Sequence, residues 1–196
     1  MTTSVHILGF SGSLRQKSLN TGLLHAASEL LPAKTTLEIV HLGEIPLYDQ
    51  DLLDAQGFPA AVEHFRQRIL AADALLIATP EYNYSITGVL KNAIDWASRP
   101  GPDKKLPLDD KPLGIMGASP GLYGTARAQY HLRQIAVFTN MHPINKPEVM
   151  VPQAMQKFSD GRLTDEQSRE FVRQHVAELV QWTLRLRGTA DRQIGG

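Results

Sequence analysis

The sequence predicts an α/β domain built on a doubly wound parallel sheet of five strands in the order 2-1-3-4-5. Three observations carry this reading. Apolar runs of strand length alternate along the chain with segments of helical spacing. One run, Ala74-Leu75-Leu76-Ile77-Ala78, contains no polar residue, as a strand covered on both faces requires. The first run, Val5-His6-Ile7-Leu8-Gly9-Phe10, ends in a hydroxyl-rich loop, Ser11-Gly12-Ser13-Leu14-Arg15-Gln16-Lys17-Ser18-Leu19-Asn20, that opens a helix. In a sheet of this order a ligand sits at the carboxyl ends of strands one, three and four.

The elements follow in order. Leu19, Leu23, Ala26, Ala27 and Leu30 recur at helical spacing until Pro32 stops the first helix. Leu37 and Ile39 flank Glu38 in a short second strand. A long connection, Gly43 to Gly57, holds Ile45-Pro46-Leu47-Tyr48 and is expected to serve as a wall or an interface. Pro59 opens the second helix, with Val62, Phe65, Ile69 and Leu70 on its apolar face. After the third strand, Ile86, Val89, Leu90, Ala93, Ile94 and Ala97 form one helical stripe. Leu113 to Ala118 is the fourth strand, a helix begins near Gly124, and a short fifth strand lies within 142–151. The last helix starts at a Thr164-Asp165-Glu166-Gln167 capping box and buries Val172, Val176, Leu179, Thr183 and Leu186. One domain, 1–187, is expected, with 188–196 as an aperiodic tail.

Composition narrows the function. Twenty basic residues balance twenty acidic ones, so no general attraction to nucleic acid or an anionic membrane is expected. No window approaches the ~20 apolar residues of a membrane span, and the N-terminus lacks a signal pattern, which together predict a cytoplasmic protein. Cysteine is absent, which removes disulfides and thiolate chemistry. The seven histidines are scattered without metal-ligand spacing, so no metal site is expected.

The loop at 11–20 has the chemistry of an anion site. Backbone N–H groups at a helix start point at the ligand, serines and Asn20 add neutral donors, and Arg15 supplies a guanidinium for phosphate oxygens. A plain helix-capping turn is the alternative. Three familiar motifs are excluded by spelling: no Gly-Lys follows for a P-loop, Ser11 stands where a dinucleotide loop needs its second glycine, and Gly9-Phe10-Ser11-Gly12 runs into Ser13 instead of the last glycine of a nucleophile elbow. The loops after strands three and four, Pro80-Glu81-Tyr82-Asn83-Tyr84-Ser85 and Ser119-Pro120-Gly121-Leu122-Tyr123-Gly124, carry aromatic faces, amides and glycines suited to a flat heterocycle.

At these residues the chain resembles a known family. Gly12-Ser13-Leu14-Arg15 with Ser18 and Asn20, then Pro80-Glu81-Tyr82-Asn83 running into Gly88-Val89-Leu90-Lys91-Asn92-Ala93-Ile94-Asp95-Trp96, looks like the NADPH-dependent FMN reductases, which are flavodoxin-like. The chromate, quinone and azo-dye reductase branch is the most similar, and Ala126 to Arg133 belongs to the match. The resemblance implies bound FMN, with NADPH or NADH as electron donor. Ser13, Arg15, Ser18, Leu19 and Asn20 would hold the phosphate and ribityl end, with Ser11 and Leu14 beside them. Pro80, Glu81, Tyr82 and Asn83 would line the isoalloxazine ring, mostly through backbone, while Ser119, Gly121 and Gly124 would approach its pyrimidine edge. The loop at 119–124 departs most from the family's spelling.

Other residues carry open readings. Glu81 is a candidate proton donor, helix cap or subunit contact. Trp96 suits a core or an interface, and Lys91 is solvated or paired with Asp95. In the family, polar groups such as Arg127, Tyr130 and Glu148 lie between subunits, so a homodimer or homotetramer is expected with these as interface candidates. No side chain is assigned a catalytic role, because the flavin carries the chemistry. The implied activity is ping-pong hydride transfer from NAD(P)H to quinones, chromate, azo or nitro compounds, or free flavin. Alternatives are a flavodoxin-type electron carrier, an FMN-binding scaffold without turnover, and a phosphate-binding module without flavin.

Overall fold

β1 (Val5–Ser11) lies inside a parallel sheet, between β2 (Thr35–Val40) and β3 (Ala74–Ala78). β4 (Pro112–Ala118) pairs with β3 and then with β5 (His142–Pro143), giving the expected order β2-β1-β3-β4-β5. This computed structural model describes residues 4–193. The fifth position of the sheet is filled by two short pieces, because β6 (Val149–Val151) also pairs in parallel with β4. Pro143 and Pro147 lack the N–H that a continuous ladder needs, which accounts for the break.

Side chains alternate across the sheet and build a core on each face. Leu8 and Phe10 of β1, Leu75 and Ile77 of β3, and Leu113 and Ile115 of β4 pack with α3 (Ala60–Ala71), α4 (Gly88–Ala97) and α5 (Ala126–Phe138). Val5 and Ile7, Leu76, and Met116 and Ala118 face the other way, onto α1 (Leu19–Glu29) and α6 (Glu166–Gln193). All seven residues of β4 and all five of β3 are buried, which is the physical content of their unbroken apolar spelling.

Several local features depart from the sequence expectation. The connection at 43–57 contains a helix the sequence reading did not predict: α2 (Gln50–Gln56) forms inside it, with the Asp49 carboxylate accepting from Asp51 N (2.9 Å) and Leu52 N (3.4 Å). The connection is tied to α4 through Pro46, whose carbonyl accepts from Asn92 Nδ2 (2.8 Å) and Trp96 Nε1 (2.9 Å). Trp96 is therefore a buried core residue. A small hairpin, β7 (Phe158–Ser159) and β8 (Arg162–Leu163), turns at Asp160-Gly161, both at positive φ. The last helix is capped by Asp165 instead of Thr164: its carboxylate accepts from Ser168 N (2.8 Å) and Ser168 Oγ (2.6 Å), while Thr164 Oγ1 donates to Lys157 O. That helix also continues past Gly188 to Gln193, and residues 194–196 of the expected tail lie outside the described residues.

Candidate functional site

β1, β3 and β4 end side by side. Ser11 is in register with Ala78, and Ala78 with Met116; Gly12 N donates to Ala78 O (2.9 Å) and Thr79 N to Met116 O (3.0 Å). Three loops therefore diverge from one edge of the sheet, at the point where the chain reverses its winding direction.

The first loop is shaped by its own serines. Ser11 Oγ accepts from Ser13 N (3.2 Å), Ser13 Oγ from Arg15 N (3.3 Å), and Ser18 Oγ caps α1 by accepting from Thr21 N (3.2 Å). Each hydroxyl keeps its own proton to donate. Ser18 N bonds to Arg15 O, so the α1 amides without a partner among the described residues are those of Leu19 and Asn20. Arg15 is exposed, and among the described residues its guanidinium has no partner. Free amides at a helix start, hydroxyl protons and an unengaged guanidinium fit a phosphate.

Asn20 does something further. Its carboxamide is buried, donating to Ala118 O (3.0 Å) and accepting from Ala118 N (2.9 Å), so the start of α1 is fastened to the end of β4. Gly12 is fastened in the same way to α4. Thr87 Oγ1 donates to Gly12 O (2.6 Å) and caps α4 by accepting from Leu90 N (3.2 Å). A Cβ on Gly12 would stand 3.0 Å from Thr87 Oγ1 and 3.2 Å from Thr79 Oγ1, so only glycine lets the loop pass here without displacement.

The second loop makes a tight turn. Tyr82 and Ser85 exchange both backbone hydrogen bonds (3.0 Å each), and Asn83 (φ 52°) and Tyr84 (φ 64°) occupy the two central positions of a left-handed turn. Pro80 is buried beneath it, while the Tyr82 and Tyr84 rings are exposed. The third loop is pinned to the segment after β6: Ser119 N donates to Val151 O, Ala154 N to Ser119 O, and Gln153 N to Gly121 O. Gly124 (φ 52°) belongs to this backbone contact, because a Cβ there would lie 2.7 Å from the Met150 carbonyl carbon. Gly121 is open: a Cβ there would meet only Ser119 Oγ, at 3.7 Å.

Of the open readings, Glu81 resolves as a helix cap. Its Oε2 accepts from Arg127 N (2.9 Å) and Ala128 N (3.3 Å) at the start of α5, and its Oε1 from the Arg127 guanidinium (2.8 Å). Arg127, expected at a subunit interface with Tyr130 and Glu148, thus has a partner inside the chain, and that pair raises its pKa above the ordinary guanidinium value. Sequence reasoning missed the pairing because nothing local links position 81 to position 127. Lys91 pairs with Asp95 (2.7 Å) on the exposed side of α4. Tyr130 and Glu148 are exposed. Among the described residues no group of three metal-ligating side chains comes together, and no helix is long and apolar enough to cross a membrane.

Comparison with known proteins matches this geometry to a family. Residues 5–156 match the model of the NADPH-dependent FMN reductases. An NAD(P)H-dependent FMN reductase of Pseudomonas aeruginosa is 54% identical over 189 residues, covering 96% of this chain and all of the relative. An NADPH:quinone oxidoreductase of Arabidopsis thaliana is 44% identical over 190 residues, covering 94% of each chain. Among solved structures, FerB of Paracoccus denitrificans, a flavoenzyme NAD(P)H:(acceptor) oxidoreductase, superposes with a TM-score of 0.81 at 34% identity, covering 92% of this chain and 98% of its own. The chain belongs to the NADPH-dependent FMN reductase family.

Proposed function

We propose that the protein is an FMN-dependent NAD(P)H oxidoreductase that reduces quinones. The observation that carries this is the convergence, at one sheet edge, of a serine-rich loop, whose helix-start amides have no partner among the described residues, with two tyrosine-bearing loops. FMN, when bound, supplies hydride acceptance and electron transfer to a second substrate. The chain's part is to hold and orient it. The amides of Leu19 and Asn20, the hydroxyls of Ser13 and Ser18, and Arg15 hold the phosphate. Ser11 and Leu14 shape the entry to that loop, and Asn20 locks it to β4. Pro80, Glu81, Tyr82 and Asn83 form one wall for the ring, and the backbone of Ser119, Gly121 and Gly124 the opposite edge. With Ser119 N engaged by Val151 O, the N–H groups of Gly121 and Gly124 are the ones at this edge that would stabilise negative charge developing on the ring during reduction.

The exposure of Tyr82 and Tyr123 on the two flanking loops supports an accessible ring face that donor and acceptor occupy in turn. A site of this kind accepts flat acceptors broadly: quinones, azo and nitro compounds, free flavin, and chromate by the same exposed face. Parallel double-reciprocal plots for NADPH and a quinone test the reading, and intersecting lines would contradict it. Bound FMN with no NADPH consumption would favour an electron carrier.

A homodimer or homotetramer accompanies this reading. Val137 and Phe138 at the end of α5 are 83% and 85% exposed, and Phe138 lines a groove of about 580 Å³ with Ser85, Lys91, His131 and Ile135. Apolar side chains so placed need cover. Tyr130, on the same helix, and Glu148 are exposed, and with the part-exposed Arg127 they remain candidates for the contact. Light scattering on the holoprotein decides: a monomer would refute the expectation.

A further inference from the structure

The loops at 80–85 and 119–124 flank the proposed ring site but belong to different βα units. What joins them is centred on one ion pair. Glu81 reaches across to the first amides of α5 and to the Arg127 guanidinium. That guanidinium lies over two tyrosine rings, one from each loop, with its central carbon 4.1 Å from the Tyr84 centroid and 4.3 Å from the Tyr123 centroid. A further contact, His131 Nδ1 with Ser85 Oγ at 3.0 Å, lies farther along α5.

Two details set this pair apart from an ordinary surface salt bridge. Thr125, in the N-cap position of α5, is held left-handed (φ 69°) and gives no side-chain cap. Without Glu81 the amides of Arg127 and Ala128 would lack a partner. Tyr84, at φ 64°, holds a backbone conformation unfavourable for a bulky side chain, and its ring is the one stacked on Arg127. The carboxylate is also the more sheltered partner, its side chain 12% exposed against 35% for Arg127.

We propose that Glu81 and Arg127 form a charge-neutral clamp that fixes the spacing of the two loops around the flavin ring and cancels a carboxylate in the wall of the redox site. Both are positioning residues, and the proposal rests on the placement of the ring between these loops. Reduction adds negative charge to the site. A lone carboxylate in the wall opposes that charge, a lone guanidinium favours it, and the intact pair does neither.

The test is the midpoint potential of the bound flavin, by redox titration of the holoprotein, with FMN affinity measured alongside. Arg127→Gln strands the carboxylate and is expected to lower the potential. Glu81→Gln keeps an oxygen for the α5 amides, strands the guanidinium and is expected to raise it. The double variant returns the potential toward that of the unmodified protein, while FMN stays several-fold weaker because the loops are unclamped. Arg127→Lys keeps the charge but loses the stacked fork, so it weakens FMN without moving the potential, and it serves if Arg127→Gln does not fold. Shifts of the same sign in the two single variants, or no shift in either, overturn the clamp. Tyr82→Ala separates this from failure of the site itself: if it too leaves the flavin spectrum and FMN affinity unchanged, the ring does not lie between these loops and both readings fall.

Discussion

Arg15→Ala is expected to weaken FMN far more than riboflavin, which lacks the phosphate. The Arg15 side chain is exposed and has no partner among the described residues, so truncating it removes no internal contact; the loop's shape depends on its backbone N–H, which alanine keeps. A hydrogen bond involving a charged group contributes about 1.5–3 kcal/mol, and an open site takes the lower part of that range. A loss of about 1.5–2 kcal/mol corresponds to a roughly 10–30-fold rise in the Kd for FMN. Riboflavin should change by about twofold or less, since only phosphate contacts are lost. Fluorescence titrations of the apoprotein with both ligands, at low and high salt, measure the difference, which should shrink as salt rises. Equal weakening of both ligands would refute the reasoning and leave Arg15 as a support for the loop.

Other consequences concern stability. Burial of His175, together with the nearby positive charge of Arg133, outweighs its hydrogen bond to Pro147 O (2.8 Å) and pushes its pKa down to about 4. The folded value lies below the unfolded one of about 6.5, so the unfolded chain binds the extra proton: stability is full above about pH 6.5 and falls as the pH drops toward 4. Denaturant unfolding at pH 7 and pH 5 should differ by about 2 kcal/mol from this group, and His175→Gln should remove that part of the difference. Arg66 is buried and donates to the carbonyls of Trp96 (3.3 Å), Ala97 (3.4 Å) and Arg99 at the end of α4, with its guanidinium 3.9 Å from the Phe58 centroid. Arg66→Ala should cost about 2–4 kcal/mol, read from the urea midpoint, because buried carbonyls lose their donor. Asn20→Ala removes both bonds to Ala118 and should cost about 2 kcal/mol while also weakening FMN; unchanged FMN affinity would show that the tie to β4 does not shape the site.

Legibility tracked the range of the interactions. β1, β3 and β4 were readable because full burial on both faces writes itself as unbroken apolar runs, and their order then pointed to the candidate site. Lys91 with Asp95 was readable because the partners lie four residues apart, and capping, which Ser18 performs, stood in the sequence as the alternative to phosphate binding for the same local reason. The Asp160-Gly161 turn carried an equally local signal, as did Asp49 and Gly57 around α2, yet the short flanking elements have too few apolar residues to show a period. Asp165 took the cap from Thr164 because Thr164 is drawn to Lys157 O by the preceding hairpin. Glu81 and Arg127, Asn20 and Ala118, and Arg66 with the end of α4 were not readable. Each joins residues brought together by the crossovers alone, and each involves a polar side chain whose local context looks solvated.

The central claim is that the site holds a flavin reducible by a pyridine nucleotide. An absorbance spectrum of the FMN-loaded protein, taken before and after NADPH is added without oxygen, tests it most directly. The yellow flavin bands should bleach with NADPH and return when a quinone is added. Bands that persist with NADPH and bleach only with dithionite, or a protein that takes up no FMN, would contradict it.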